Sequence, residues 1–493
     1  MNRQALRYIR YIVSGLALGV LSLKVSTLPP KYYLGLMGMV LLLTPFAYIY
    51  LLISHEPKTR IVSLLIAIFT FSMAFNLDYN LFYRDYVGVT SVDISLAMLC
   101  LICIFAFFVY DARLSYEDSF QFRIYKPIFS ALLIYLAICG LSALGSHHLD
   151  LSMLELSRLF FLLFLCFMVM NLQDKRYINI ILISFSCVLV LESLIGFYQY
   201  RTGQTVGLYV FGEKAIRLQD IGFVANRATG TIGDPNIFGY FFEMLIPLMF
   251  AMFIAEKRFF FKWWYFFSVC LGCVGIYATL SRGAWMTLPI SISLVFLIMF
   301  KGRFLRISTF IWIWCASFVF FAILVLSFEV VYNRFTHDDY GSAETRGPLN
   351  QAAFSVIEQF PILGVGPNNM AKVFKRLDRT GHTRMFTGKD HVVHNLYLLI
   401  WAETGTLGIA AFLWMLAIVI YTAFHHLFKV GYWERAILAG TGAGIVAQGI
   451  HGMVDPGFKT MLNMSMIFYT YIGLVAGIAI IHRQDKSIEP IPP

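Results

Sequence analysis

The stretch RFTHDDYGSAETRGPLNQ (334–351), followed by FPILGVGPNN (360–369) and DHVVHNLYLLIWAETG (390–405), is where this chain stops being apolar. From 332 to 393 it carries charge, glycine, proline and histidine, and it returns to an apolar run at His394. On either side the sequence is a succession of long apolar runs joined by short charged links. Hydrophobic residues make up 59% of the chain and charged residues 13%, against about a quarter charged in soluble domains. Mean hydropathy is +0.72. The chain therefore reads as an integral membrane protein, and a polar stretch of this length inside one can house chemistry or recognition.

Runs near the length of a spanning helix, about 20 residues, fall at 8–28, 32–53, 61–77, 92–110, 127–145, 155–171, 177–200, 236–255, 263–280, 284–300, 307–330, 394–424, 435–453 and 461–481. The expected fold is all-α and polytopic, with about 12–14 transmembrane helices. A single integral membrane domain covers 1–493, and a large outward loop with short amphipathic helices occupies 332–393. Arg3, Arg7 and Arg10 precede an apolar run without a small-residue cleavage site, which reads as a retained first helix. The eight cysteines all lie in apolar runs, and the two CxxC pairs (Cys100/Cys103, Cys270/Cys273) read as small core side chains.

Lys and Arg set the orientation. Lys58/Arg60, Arg113/Arg123/Lys126, Lys175/Arg176, Lys257/Arg258/Lys262, Lys301/Arg303/Arg306, Lys429/Arg435 and Arg483/Lys486 fall in alternate links, so these links and both termini are expected in the cytoplasm. NLDYN and GSHHLD, acidic or nearly neutral, then face outward. So do two long links, 201–235 and 332–393. The net charge of +10 has no basic tail or soluble domain to carry it, which excludes nucleic acid and suits anionic lipids or an anionic substrate.

Two helices are expected in the larger outer loop. Pro348 suits a first helical turn, with Leu349, Ala353, Val356 and Phe360 as its apolar stripe. After the turn at Gly364–Gly366, Met370, Val373, Phe374 and Leu377 form a second stripe, with Lys372, Lys375, Arg376 and Arg379 on the other faces. Charge meets an apolar boundary at Arg227, Arg282, Arg346 and His394. Arginine presents a planar, permanently charged fork to phosphate oxygens, and such groups neutralise a diphosphate leaving group as its glycosidic bond breaks. His394 would accept a proton from an acceptor hydroxyl or hold that hydroxyl in line. His391, three residues earlier, would share its face on a continuing helix. Glu403, nine residues on, is out of phase with His394 and reads as structural. His451 and Asp455 would pair with each other near an outer helix end. The candidate set is therefore catalytic His394, Arg282 and Arg346 and substrate-binding Arg227, His391, Arg376 and His451, with no metal and no cofactor. The sequence contains no HExxH, Walker sequence or serine elbow.

Four segments, in this order, resemble the O-antigen ligase and O-antigen (Wzy-type) polymerase superfamily of bacterial envelope glycosyltransferases. They are GTIGDPNIFGYFFEMLIPL (230–248), LSRGAWMTLP (280–289), RGPLNQAAFSVIEQFPILGVGPNNM (346–370) and HNLYLLIWAETGTLGI (394–409). The resemblance implies a GT-C-like, inverting, metal-independent glycosyltransferase of the bacterial cytoplasmic membrane, with its site facing outward. Its donor would be an undecaprenyl-diphosphate-linked oligosaccharide and its acceptor a glycan or lipid A-core. Membrane lipids and polysaccharide-assembly proteins would be further partners. It also implies that Arg227, Arg282 and Arg346 lie near the diphosphate and His394 beside the acceptor. Polymerase is preferred to ligase because the expected span number exceeds a dozen. A ligase acting on lipid A-core or a protein acceptor is the alternative, and a lipid-linked glycan transporter or flippase is the alternative of another class. Transporters place polar residues near span midpoints and often show repeats, whereas here they collect on one face.

Overall fold

The computed structural model describes residues 57–75, 78–84, 88–113, 120–214, 219–220, 224–300, 332, 346–379, 381 and 391–488. The expected spans 8–28, 32–53 and 307–330 lie outside them. The other eleven each coincide with a helix: α1 (Pro57–Ser72), α2 (Leu96–Arg113), α3 (Lys126–Leu144), α4 (Leu149–Met170), α5 (Lys175–Thr202), α6 (Pro235–Ala255), α7 (Phe259–Ala278), α8 (Arg282–Met299), α11 (Leu396–His426), α12 (Tyr432–His451) and α14 (Leu462–Ile488). Between α8 and α11 lie α9 (Arg346–Gln359) and α10 (Met370–Leu377), and a single turn, α13 (Gly457–Thr460), precedes α14. Among the described residues eight helices are long and apolar enough to cross a membrane. The protein is thus an all-α multi-pass membrane protein. Two small antiparallel hairpins break the all-helical pattern, β1 (Asp78–Leu81) with β2 (Val92–Ser95) and β3 (Gln219–Asp220) with β4 (Val224–Ala225).

Local chemistry sets several helix starts. The Asp174, Asp234 and Asn395 side chains accept from the first free amides of α5, α6 and α11, and Pro235 occupies the first turn of α6, where no amide is needed. α12 packs between α6, α8, α11 and α14. It is too polar to count among the eight, and its glycines explain its place. A Cβ on Gly440 would collide with the backbone of Leu248 on α6, so the two helices approach more closely than side chains allow. Burial separates inner from outer helices: 94% of the apolar window of α14 is buried in the bundle and 28% of that of α7. On α7, Phe259, Phe260, Trp263 and Phe267 are exposed, as suits a surface facing lipid. The cysteine expectation needs correction, because Cys103, Cys270 and Cys273 also face out of the bundle and only part of the set is core.

The two ends of the bundle are built differently. At one end Lys175 bridges Glu434 at 2.5 Å, Arg258 bridges Glu256 at 2.8 Å and the Arg483 guanidinium lies over the Tyr125 ring. At the other end α9 and α10 pack on each other and on α11 around Leu349, Val356, Val365, Phe374 and Leu399, close to the stripes expected from sequence. The 201–235 link is tied down at this end. The Glu213 carboxylate accepts the amides of Val206, Gly207 and Leu208, while Gln199 accepts those of Thr229 and Gly230.

The long run from 394 is not one straight helix. Gly405 (φ 67, ψ −172) interrupts α11, and the carbonyls freed there are taken up by the PILGVG segment. Val365 N donates to Ala402 O at 3.1 Å and Gly366 N to Glu403 O at 2.9 Å, while Thr406 N donates to Pro361 O at 2.8 Å. Gly364, also at positive φ, lies so close to Glu403 that a Cβ would strike its carbonyl. What the sequence presents as a turn signal is a segment that completes a broken helix. Beyond it, Asn368 bonds both backbone groups of Val89, and Asn369 bonds both those of His148, which fastens the loop to the neighbouring links.

Candidate functional site

A cavity of about 480 Å³ opens at the loop-bearing end, between the β1–β2 hairpin, α4, the start of α6 and the α12–α14 turn. His394 lines it, with its Nδ1 3.4 Å from Asp455 Oδ2. His394 is not on a helix: α11 starts at Leu396 with Asn395 as its cap, so His394 and His391 do not share a helical face as expected. Asn395 Nδ2 donates to Met453 O and Leu396 N to Gly452 O, which sets the extended segment against the α12 end that carries Asp455. With Nδ1 turned to a carboxylate, Nε2 is the ring nitrogen left for another partner.

The expected His451–Asp455 side-chain pair does not form. His451 is 3% exposed and its Nδ1 meets Glu243 Oε1 at 2.8 Å, while its ring stacks on Tyr240 at 4.0 Å between centroids. Asp455 instead faces His394 and accepts from Gly457 N. The two halves are joined, because the Tyr240 hydroxyl donates to Asp455 O. Spacing along one helix had suggested a local pair, but α6 brings a buried carboxylate closer.

Among the described residues, the remaining candidates do not line the cavity. Arg227, 7% exposed, donates from Nε to Thr279 O at 3.1 Å and from Nη2 to Asn236 Oδ1 at 2.7 Å, and Asn236 is on the cavity wall. Arg282 begins α8, and the next residue, Gly283, is so near the His451 Nε2 that any Cβ would collide with it. Arg346 begins α9. His391 is half-buried one residue before Val392, which lines the cavity. Arg376 is exposed on α10. Burial first, then the Arg376 charge, hold His147 below the usual imidazole value, so this arginine belongs with the α3–α4 link.

Several residues of the cavity escape a sequence reading. Arg158 on α4 lines it at 7% exposure and bonds Glu155 at 2.7 Å. Behind them Lys459 pairs with Glu403 and lies 4.0 Å from Glu155, so buried charges of alternating sign run from the cavity to the break in α11. Glu403 is held by Lys459 and not by His394. The Glu155/Arg158 spacing of three inside an apolar run was the available signal. Lys214, Asp78 and Asp93 also line the cavity, from links whose pairing no local pattern reveals. Burial, then the charge of Asp93, push the Asp78 carboxyl up to about 7. Burial also raises Asp93, against the opposing effects of the Ser91 hydroxyl and the Arg158 charge.

Residues 266–413 match the family model Wzy_C, described as O-Antigen ligase. The matched stretch runs from α7 to α11 and contains Arg282, Arg346, Arg376, His391 and His394. No curated protein matches the chain.

Proposed function

We propose, on the premise that residues 266–413 place this chain in the O-antigen ligase/polymerase superfamily, that it is a membrane glycosyltransferase extending or transferring undecaprenyl-diphosphate-linked oligosaccharides. The observation that carries the reading is the His394–Asp455 pair on the wall of a polar cavity, with Arg227, Arg282 and Arg346 set around the same helix ends. In the proposed step an acceptor hydroxyl oxygen attacks the anomeric carbon of the donor and the carbon–oxygen bond to the diphosphate breaks. The electron pair leaves with the diphosphate, the hydroxyl proton passes to His394 Nε2, and configuration inverts. Asp455 orients the ring and stabilises the imidazolium, and the arginines offset charge on the departing diphosphate. No metal is assigned a part. The cations gathered at the opposite end of the bundle support a cytoplasmic position for that end under the positive-inside rule. The cavity would then face outward from a bacterial inner membrane.

The test supplies purified protein with a lipid-diphosphate oligosaccharide and candidate acceptors, without metal. His394→Ala and Arg282→Ala are expected to abolish transfer while the protein stays folded. Product length separates a polymer from a single transfer to lipid A-core. Unchanged turnover in both variants would refute the site, and movement of the lipid without bond formation would refute the enzyme.

A further inference from the structure

The cavity and the arginines differ in sign. Among the described residues, four carboxylates line the cavity (Asp78, Asp93, Asp234 and Asp455) against two cations, Arg158 and Lys214. The Arg158 charge is already met by Glu155. A diphosphate placed here would meet more carboxyl groups than cations among the described residues. Arg227, Arg282 and Arg346, the groups suited to phosphate, are outside the lining. Donor leaving group and cavity therefore call for different occupants.

Three of the four carboxylates are already committed, Asp234 to capping α6, Asp455 to His394 and Gly457 N, and Asp93 to the Ser91 hydroxyl. Asp78 differs. Asp78 Oδ1 is buried and has no hydrogen-bond partner among the described residues, and the same holds for Nε of Arg158, which is 7% exposed. Asn80 lies opposite Asp93 in the β1–β2 register, and both line the cavity. The two side chains that carry these unmatched atoms, Asp78 and Arg158, thus line one cavity. Leaving such groups unmet is costly, and a sugar hydroxyl, which both donates and accepts, offers both kinds of partner. The volume of about 480 Å³ lies within the range of small-ligand sites, about 300–1,000 Å³.

We propose that this cavity is the acceptor-glycan subsite, in which Asp78, Asn80 and Asp93 of the hairpin and Arg158 of α4 bind the hydroxyls of an uncharged sugar and present one to His394. The assignment rests on the glycosyltransferase reading above and adds which end of the reaction the cavity serves. Near neutral pH the Asp78 carboxyl carries its proton part of the time, so it serves as donor as well as acceptor. The excess of carboxylates disfavours a sugar bearing a carboxylate at this position.

The full chain in lipid nanodiscs is titrated with two probes. One is undecaprenyl diphosphate. The other is the free oligosaccharide released by mild acid from the lipid-linked glycan of the cells that make this protein. Asn80→Ala and Asp93→Asn are each expected to weaken oligosaccharide binding by about tenfold, the size of a lost hydrogen bond, and to leave undecaprenyl diphosphate binding unchanged. Asn80 is exposed, so its variant reads the subsite without disturbing the core. Unaltered oligosaccharide affinity in both variants overturns the subsite, as does a parallel loss of undecaprenyl diphosphate. Equal affinity for a neutral oligosaccharide and a hexuronate one of the same length also overturns it. Hairpin-dependent oligosaccharide binding by a wild-type protein that forms no glycosidic bond upholds the subsite and refutes the glycosyltransferase reading instead.

Discussion

His394 Nδ1 lies 3.4 Å from Asp455 Oδ2, across a gap of 61 residues. The pair joins the segment leading into α11 to the turn after α12, and it places one ionisable dyad on the cavity wall. If His394 moves the proton, Asp455 acts through it. Asp455→Asn keeps the shape and removes the charge, and transfer is expected to fall by about 10²-fold, within the range for a general base. A wild-type rate in the variant, with the protein folded as in wild type, would refute the dyad.

Gly405 adopts φ 67 and ψ −172, and a Cβ there would strike the carbonyl of Ile362. Gly405→Ala is therefore expected to cost about 1–3 kcal/mol of local stability. The effect should appear first in the loop. The amides of Val365 and Gly366, which donate into the break of α11, should lose hydrogen-exchange protection before those of α12 do. Equal protection in variant and wild type would contradict this account of the segment.

Lys459 pairs with Glu403 and approaches Glu155 within a buried set that also includes Arg158. Lys459→Met leaves Glu403 without its cation and is expected to destabilise by about 3–5 kcal/mol. The double variant Lys459→Met with Glu403→Leu removes both charges and should recover most of that loss. Thermal denaturation in detergent measures both, and additive losses would show that the pair is not coupled.

Asp78 offers a pH test of stability. Its carboxyl is pushed up to about 7 by burial and then by Asp93, whereas an unfolded aspartate titrates near about 4. The folded state therefore binds more protons between those values, and stability falls as pH rises through that window. Asp78→Asn removes the penalty. The variant should be the more stable by roughly 1–2 kcal/mol at pH 8, a figure discounted for partial exposure, and the gain should vanish near pH 4. A gain that does not depend on pH would refute the shifted carboxyl.

Read alone, the sequence determined the membrane class, the segregation of cations between alternate links and the existence of the two loop helices, because each depends on local composition or on helical period. Arg346 could be placed at a helix start and His394 just ahead of an apolar helix on the same grounds. The partners could not be placed. His451 and Asp455 are neighbours in sequence and suggested a pair, yet Glu243 from α6 and His394 from the α11 approach take them instead. Inside a packed bundle the polar partner that tertiary packing brings nearest decides the pairing, whatever its sequence distance. The cavity was hidden for a related reason. Its walls come from Asp78, Asp93, Arg158, Lys214 and Asp455, five separate pieces of chain, and each alone looks like an ordinary link or helix residue. Only helix packing converts them into one site, because the close approach of α12 to α6, which its glycines permit, sets where those chain ends meet.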